Sequence, residues 1–390
     1  MMPTARGGLF APLTVNEPRR GERPWPAGLL PPEAQASLAA FDHPLYDRAT
    51  QLSLVAAIEA MGQSQWPTLQ PDPRGGVYWG VGMAGAHTME ASYDKLYRAQ
   101  QGARPMTVVR GMANAAAGQL SARFQLRGPS MTYCMACASS AVAMGEALTA
   151  IQAGRIDRAL VGGGESLLVN GVMNAWLALK VLAPMPEDGD PTSCSRPFGL
   201  GRTGFVMSEG AAALVLERAD LARQRGAVPL ARLTGYGLSC DAQASMVHPQ
   251  AETQAAAMRQ ALGHAGLQPA DVGYVNAHAT GTDAGDVVEC DALGRVFGHG
   301  GAAVPPTSAT KSWHGHLLGA AGAYEAVVCI GALRHQALPS TANLREQDPR
   351  CKVDAVPNLP RAAPGLRHML SNSFAFGGVN AALVFSAVTP

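Results

Sequence analysis

Cys137 is the residue of this chain best placed to act as a nucleophile. It lies in the run Ala136-Cys137-Ala138-Ser139-Ser140, and the apolar set Val142, Ala143, Ala147, Leu148 and Ile151 follows at three- and four-residue steps. That period is one face of a helix. The spacing predicts a helix that starts directly after the cysteine and stops at Gly154, with Ser139 and Ser140 where N-terminal capping is expected. Cys137 would then stand at the positive end of the helix, where a thiolate is favoured over a thiol. Its small neighbours leave room for a substrate carbonyl to approach the backbone amides. The ordinary alternative for any single cysteine is a buried structural role. Cys134 forms a C-x-x-C with Cys137, which has two readings: a redox pair, or a small apolar residue on a strand leading into the nucleophile. The surrounding sequence is unlike thioredoxin-type contexts and favours the second.

Three further blocks lie downstream: Val275-Asn-Ala-His278-Ala279-Thr280-Gly-Thr282, then Thr310-Lys311-Ser-Trp313-His314-Gly-His316 with Glu325 beyond it, then Ser371-Asn-Ser-Phe374-Ala-Phe376-Gly-Gly-Val-Asn380. With Cys137, in this order, they resemble the β-ketoacyl-ACP synthases, condensing enzymes of the thiolase superfamily. The resemblance runs from about Asp47 to the C-terminus. Several independent motifs in one order are specific where any one alone is weak.

The resemblance implies a decarboxylative Claisen condensation of an acyl thioester with malonyl-ACP, in fatty-acid, polyketide or polyene synthesis. Cys137 matches the nucleophile that holds the acyl group. The backbone N–H groups of Cys137 and Phe374 match an oxyanion hole, and Phe374 also matches a gating residue, with Phe205 beside it. His278 and His316 match two imidazole donors for the enolate. A pair of histidines, instead of a histidine and an asparagine, is similar to the elongating class. Lys311 and Glu325 match a charged pair near the histidines, and Thr280 and Thr282 match residues that bond the pantetheine arm. Arg202, in Arg202-Thr-Gly-Phe205, is the candidate for a basic carrier-protein surface. The resemblance implies no bound cofactor, because substrates arrive on the phosphopantetheine of an acyl carrier protein. It also implies a homodimer, or a heterodimer with another ketosynthase-like subunit. His314-Gly-His316 is an H-x-H, but no third or fourth ligand stands at metal-like spacing, so no metal is expected.

Two rival functions stay open: an acyltransferase that does not decarboxylate, and a partner subunit of a ketosynthase heterodimer. Departures from the family pattern also stand out. Gly199 and Thr203 replace usual acids, and Ala279 replaces a glycine, which puts a methyl beside the arm's tunnel. Trp313 and His314 are bulky and either reshape the pocket or pack on a neighbouring helix. The opening 46 residues, with Pro26, Pro31 and Pro32, lack the usual first strand and helix, so that corner is either truncated or built differently; Leu9–Val15 reads as a short strand that Pro12 confines to an edge.

The elements needed to position these groups are legible as alternating short strands and helices, an α/β pattern. Helices are expected over 52–61, 112–119, 253–265, 286–297 and 317–338, and strands over 76–83, 131–136, 230–238 and 271–276. Arg158–Glu165 reads as a strand running into a tight glycine turn, without the pattern of a phosphate loop. A last hairpin spans His368–Ser386. The family implies a thiolase-like fold of two pseudo-repeated halves in an α-β-α-β-α layering. The break is expected at 248/249, with the nucleophile in residues 1–248 and both histidines in 249–390. Of 390 residues, 15% are charged, against a usual ~25%, and the net charge is +1. That balance argues against a nucleic-acid binder and for a compact enzyme with an extensive protein interface. Seven scattered cysteines without a signal-peptide core argue against a disulfide framework, and no apolar run spans a bilayer; a cytoplasmic location is expected.

Overall fold

The computed structural model describes residues 8–66, 70–243, 245–299 and 303–388. An N-terminal hairpin comes first, β1 (Ala11–Glu17) against β2 (Gly21–Gly28). Helices α1 (Pro32–Leu38) and α2 (Arg48–Ser64) follow. Asp47 caps α2 by accepting from Ala49 N at 3.1 Å, and Gln65 in the left-handed region (φ 52°) ends it. Next come β3 (Gly75–Gly80), α3 (Ala86–Tyr97), α4 (Thr107–Gly111), α5 (Ala115–Phe124), β4 (Ser130–Tyr133), α6 (Ser139–Gln152), β5 (Arg158–Glu165) and α7 (Asn170–Ala178). The short β6 (Met207–Ser208), β7 (Gly210–Glu217) and α8 (Ala219–Gln224) close the N-terminal half.

The second half runs through β8 (Arg232–Cys240), α9 (Ala251–Ala265), β9 (Tyr274–Asn276), α10 (Asp283–Phe297), β10 (Thr307–Ser308), α11 (Lys311–His314) and α12 (Ala321–His335). A two-residue ribbon, β11 (Ala337–Leu338) with β12 (Arg361–Ala362), precedes the hairpin β13 (His368–Phe374) and β14 (Val379–Ser386). Most expected elements are present with shifted ends.

The chain forms two main sheets, ordered β4-β3-β5-β7 and β10-β9-β13-β14-β8. In each, three strands are parallel and the following one is antiparallel. Helices α6 and α12 lie between the sheets and touch one another, α2 and α5 cover the outer face of the first, and α9 covers the second with α10 against it. This is the thiolase-like layering. Strands covered on both faces must be apolar throughout, and all of β3 and all of β5 but Arg158 are buried.

Two expectations need correction, and a third is extended. The glycines at 162–164 stay in strand β5 instead of forming a turn, because helices press on both faces. A Cβ on Gly163 would meet Ser140 Cβ at 2.9 Å and Ala320 Cα at 3.0 Å, and one on Gly164 would meet Ser53 Oγ at 2.2 Å. The expected break at 248/249 falls too late, since β8 already pairs with β14 of the second sheet. The short edge strand expected near Leu9–Val15 is present as β1, and β2, which the sequence did not mark, completes a hairpin alongside β6. Among the described residues no helix is long and apolar enough to cross a membrane.

Candidate active site

Cys137 sits in a single 3-10 turn, Ala136–Ala138, between β4 and α6. Ala136 has φ 44°, a left-handed conformation that a Cβ disfavours. The turn presents Sγ to His316 of the second half. Ser139 and Ser140 do not cap the helix as expected. Ser139 Oγ accepts from Met135 N at 2.8 Å and lies 2.9 Å from Val81 O, which pins the turn to the end of β3. Ser140 Oγ accepts from Ala323 N at 2.9 Å and ties α6 to α12. Cys134 is exposed, its thiol 3.1 Å from Gly82 O, so it is not an apolar core residue.

His316 reaches the cysteine from the second half, with Nε2 2.9 Å from Cys137 Sγ. Its main chain is fixed on both sides against β6: His316 N donates to Val206 O (2.8 Å) and Ser208 N donates to His316 O (3.0 Å). Gly315 makes this approach possible, because a Cβ there would lie 1.9 Å from Ser208 Oγ and the residue has φ 72°. Leu318 N donates to His316 Nδ1 at 3.3 Å. An acceptor Nδ1 leaves the proton of the neutral ring on Nε2, the atom that faces sulfur.

His278 follows β9. Its N–H and that of Ala279 donate to the buried Glu289 of α10, at 2.9 and 2.7 Å. Its ring lies 5.4 Å from that of His316, and its Nδ1 is buried without a protein partner. Burial, then the Lys311 charge, hold both imidazole pKa values well below the ordinary 6.5. Lys311 is paired with Glu325 of α12, both fully buried. Burial pushes the Glu325 carboxyl up, and Lys311 opposes it.

Burial also pushes the Cys137 thiol up, to about 12. The Lys311 charge, its own N–H and the Phe376 N–H act in the opposite direction. The helix end therefore does not by itself produce a free thiolate. The last contact also corrects the expected oxyanion hole: the second amide at the sulfur is Phe376's, not Phe374's. Phe374 N belongs to the β13–β14 pairing, and its ring packs 6.2 Å from His278. Phe376 follows in the glycine turn, with its ring stacked 5.9 Å from Trp176.

These groups line a cavity of about 410 Å³ that contains Cys137, Phe205, His278, Thr280, Thr282, His316, Phe374 and Phe376. Phe205 stands edge-on to His316 at 5.2 Å and to Trp176 at 5.5 Å. Thr280 and Thr282 share a hydroxyl contact of 3.1 Å on the wall, and Ala279 lines the same wall. Trp313 and His314 do not reach it: Trp313 Nε1 donates to Ser340 O at 2.7 Å, and His314 packs 4.4 Å from Tyr324. Trp176, Lys180 and the segment Met246–Pro249 also line the cavity; no motif in the sequence marked them. Cys137, His278 and His316 have ligand-type atoms within 4.8 Å of one another, a donor set that could also grip a soft metal ion.

Arg202 is not an exposed cation. Its side chain is 1% exposed and bonded to Asp348 at 2.7 Å, so it cannot form a basic docking surface.

The comparisons agree with this geometry. The family model for the β-ketoacyl synthase N-terminal domain matches residues 34–222, and that for the C-terminal domain matches residues 230–345. The chain is 43% identical over 347 residues to nodulation protein E of Rhizobium sp. (strain N33), covering 88% of this chain and 83% of that one. It is 36% identical over 342 residues to 3-oxoacyl-[acyl-carrier-protein] synthase 2 of Staphylococcus aureus, covering 87% and 84%. A solved type II PKS acyl-carrier protein in complex with its ketosynthase, bound to the hexaketide, superposes with a TM-score of 0.85 at 27% identity, covering 93% and 88%. The chain belongs to the β-ketoacyl synthase family. It is an acyltransferase that condenses acyl units carried on acyl carrier protein.

Proposed function

We propose that Cys137 takes the acyl group and that His278 and His316 stabilise the enolate formed from malonyl-ACP. In the first half-reaction Sγ attacks the acyl thioester, the bond to the pantetheine sulfur breaks, and the thiol proton leaves with that sulfur. The N–H groups of Cys137 and Phe376 receive the oxyanion. In the second, the malonyl C–C bond breaks and carbon dioxide leaves. The electron pair passes into an enolate whose oxygen accepts from the two imidazoles. The enolate carbon attacks the Cys137 thioester, and Sγ departs. The observation that carries this reading is the neutral His316 Nε2–H 2.9 Å from Sγ, with a second neutral imidazole 5.4 Å away. A donor that stays neutral supports an enolate without being consumed as an acid. Lys311 supplies the nearby fixed positive charge.

Thr280 and Thr282 hold the pantetheine arm along the wall, and the aromatic gate expected at Phe374 with Phe205 is assigned instead to Phe376 with Trp176, whose rings stack. The mouth cation for an acidic carrier protein is Lys180, which is exposed, lines the cavity and has no ion pair among the described residues. The enzyme works as a dimer, homo- or hetero-, through the open edge of β4. Met131 on that strand is 44% exposed, and Val108 on α4 is 73% exposed. The seven free cysteines suit a reducing cytoplasm. The test is intact mass beside labelled carbon dioxide release: acyl mass on Cys137, then decarboxylation of malonyl-ACP. Acyl mass on Cys134, or acylation never followed by carbon dioxide, would sink it.

A further inference from the structure

Arg202 belongs to the N-terminal half, yet almost every group it touches lies in the C-terminal half. Its Nε donates to Thr282 O at 3.0 Å. Its Nη2 donates to Asp283 O at 2.8 Å and reaches Asp283 Oδ1 at 3.2 Å. Its Nη1 donates to Asp348 Oδ2 at 2.7 Å and to Gly199 O at 2.9 Å. Asp286 Oδ2 lies 3.8 Å from Nε, and Asp286 itself accepts from Gly281 N (3.0 Å) and Phe198 N (2.9 Å). Arg350 bonds both Asp348 and Asp283 from the solvent side. The cluster thus holds two guanidinium groups and three carboxylates, and Arg202, its side chain 1% exposed, sits at the centre.

Two of the three carbonyls that Arg202 holds are those of Thr282 and Asp283, the turn that carries one wall threonine into the first residue of α10. Asp286 holds the same turn from the other side through Gly281 N. The planar fork satisfies three carbonyls and two carboxylates at once, which a lysine ammonium cannot reproduce in one plane. Gly199 and Thr203, its neighbours in the chain, carry no charge that would compete for the fork.

We infer that Arg202 is a positioning residue that sets the height of the Thr280–Thr282 wall and so fixes how tightly a pantetheine arm is held. This rests on the reading of those threonines as the contacts of the arm. The bond making at Cys137 does not involve Arg202.

The experiment compares Arg202→Lys, Asp348→Asn, Thr282→Val and the double variant Arg202→Lys with Thr282→Val. The readouts are KM and kcat for malonyl-ACP and the rate of Cys137 carbamidomethylation by iodoacetamide, which needs no arm. Arg202→Lys is used instead of Arg202→Ala because it leaves a cation beside the buried Asp348 and Asp286. The expected result is a KM rise of about tenfold for Arg202→Lys, of the size of one charged hydrogen bond. The fall in kcat should be much smaller, and carbamidomethylation should stay at the wild-type rate. Asp348→Asn should act in the same direction. The double variant should add less than about twofold to Thr282→Val, because the arginine acts through that residue. A wild-type KM for Arg202→Lys, or fully multiplying effects in the double variant, overturns the inference while the threonine reading stands. A wild-type KM for Thr282→Val overturns the threonine reading itself.

Discussion

The two halves share a frame and differ in what they hang on it. The first sheet, β4-β3-β5-β7, repeats the order and directions of β10-β9-β13-β14, but among the described residues nothing in it corresponds to β8, which pairs with β14 at the edge of the second sheet. Each half also has a 3-10 turn before its central helix, Ala136–Ala138 before α6 and Leu318–Ala320 before α12. A non-glycine residue of left-handed φ opens each, Ala136 at 44° and Leu318 at 49°. In the first half that turn holds the nucleophile. In the second it follows His316 and fixes the tautomer through Leu318 N.

On the proposed reading the repeat builds one centre from unlike parts: storage of an acyl group on one side, donors for an enolate on the other. The missing edge strand has a counterpart elsewhere. The opening hairpin lays Leu13, Val15 and Trp25 into the apolar cluster that contains Cys137. In this chain the N-terminal segment lines the nucleophile's surroundings instead of extending the sheet.

The strongest way to break this division of labour is to remove the nucleophile. Cys137→Ala should abolish acyl-enzyme while malonyl-ACP decarboxylation persists, since the donors lie in the other half; intact mass and labelled carbon dioxide read the two. Loss of both together would mean the halves cannot be separated. Next, His278→Ala should lower decarboxylation by ~100- to 1000-fold, or about 3–4 kcal/mol, and leave acylation of Cys137 in place. His316→Ala should match it, with slower acylation as well because Nε2 touches Sγ. An intact decarboxylation rate with lost acylation would reverse the assignment.

A smaller effect is expected where the halves pack. A Cβ on Gly322 of α12 would meet Ala141 Cβ of α6 at 2.8 Å. Gly322→Ala should cost about 1–3 kcal/mol in denaturant unfolding; an unchanged midpoint would show that α6 and α12 can separate freely.

The smallest effect is an expected level line. Both imidazoles have pKa values depressed well below 6.5. Lowering the pH from 8 to 6 therefore stays above their titration and leaves the donating neutral form in place. Decarboxylation by acylated enzyme should not change over that range. A fall with its midpoint near ~6.5 would reveal an ordinary, solvated histidine instead.

Much of this was legible in residue order. Cys137, His278, Lys311, His316 and Glu325 each stand in a local pattern, and the structure brings all five to one buried place. Helical periods located α2, α6 and α9 within a few residues, because amphipathic spacing is a local property.

What local pattern could not decide were contacts between distant segments. Phe374 and Phe376 are two residues apart in one motif, and only the pairing of β13 with β14 turns the amide of Phe376 toward Cys137. Arg202 beside a gating phenylalanine reads as a surface cation until Asp348, 146 positions away, is seen to take it inside. Ser139 and Ser140 read as caps until Val81 and Ala323 arrive as partners. Sequence alone determined which side chains are proposed to carry the chemistry, because their types and order are covalent facts. Tertiary structure alone decided which backbone amide, which tautomer and which charge state each one presents, because those depend on what the fold buries beside it.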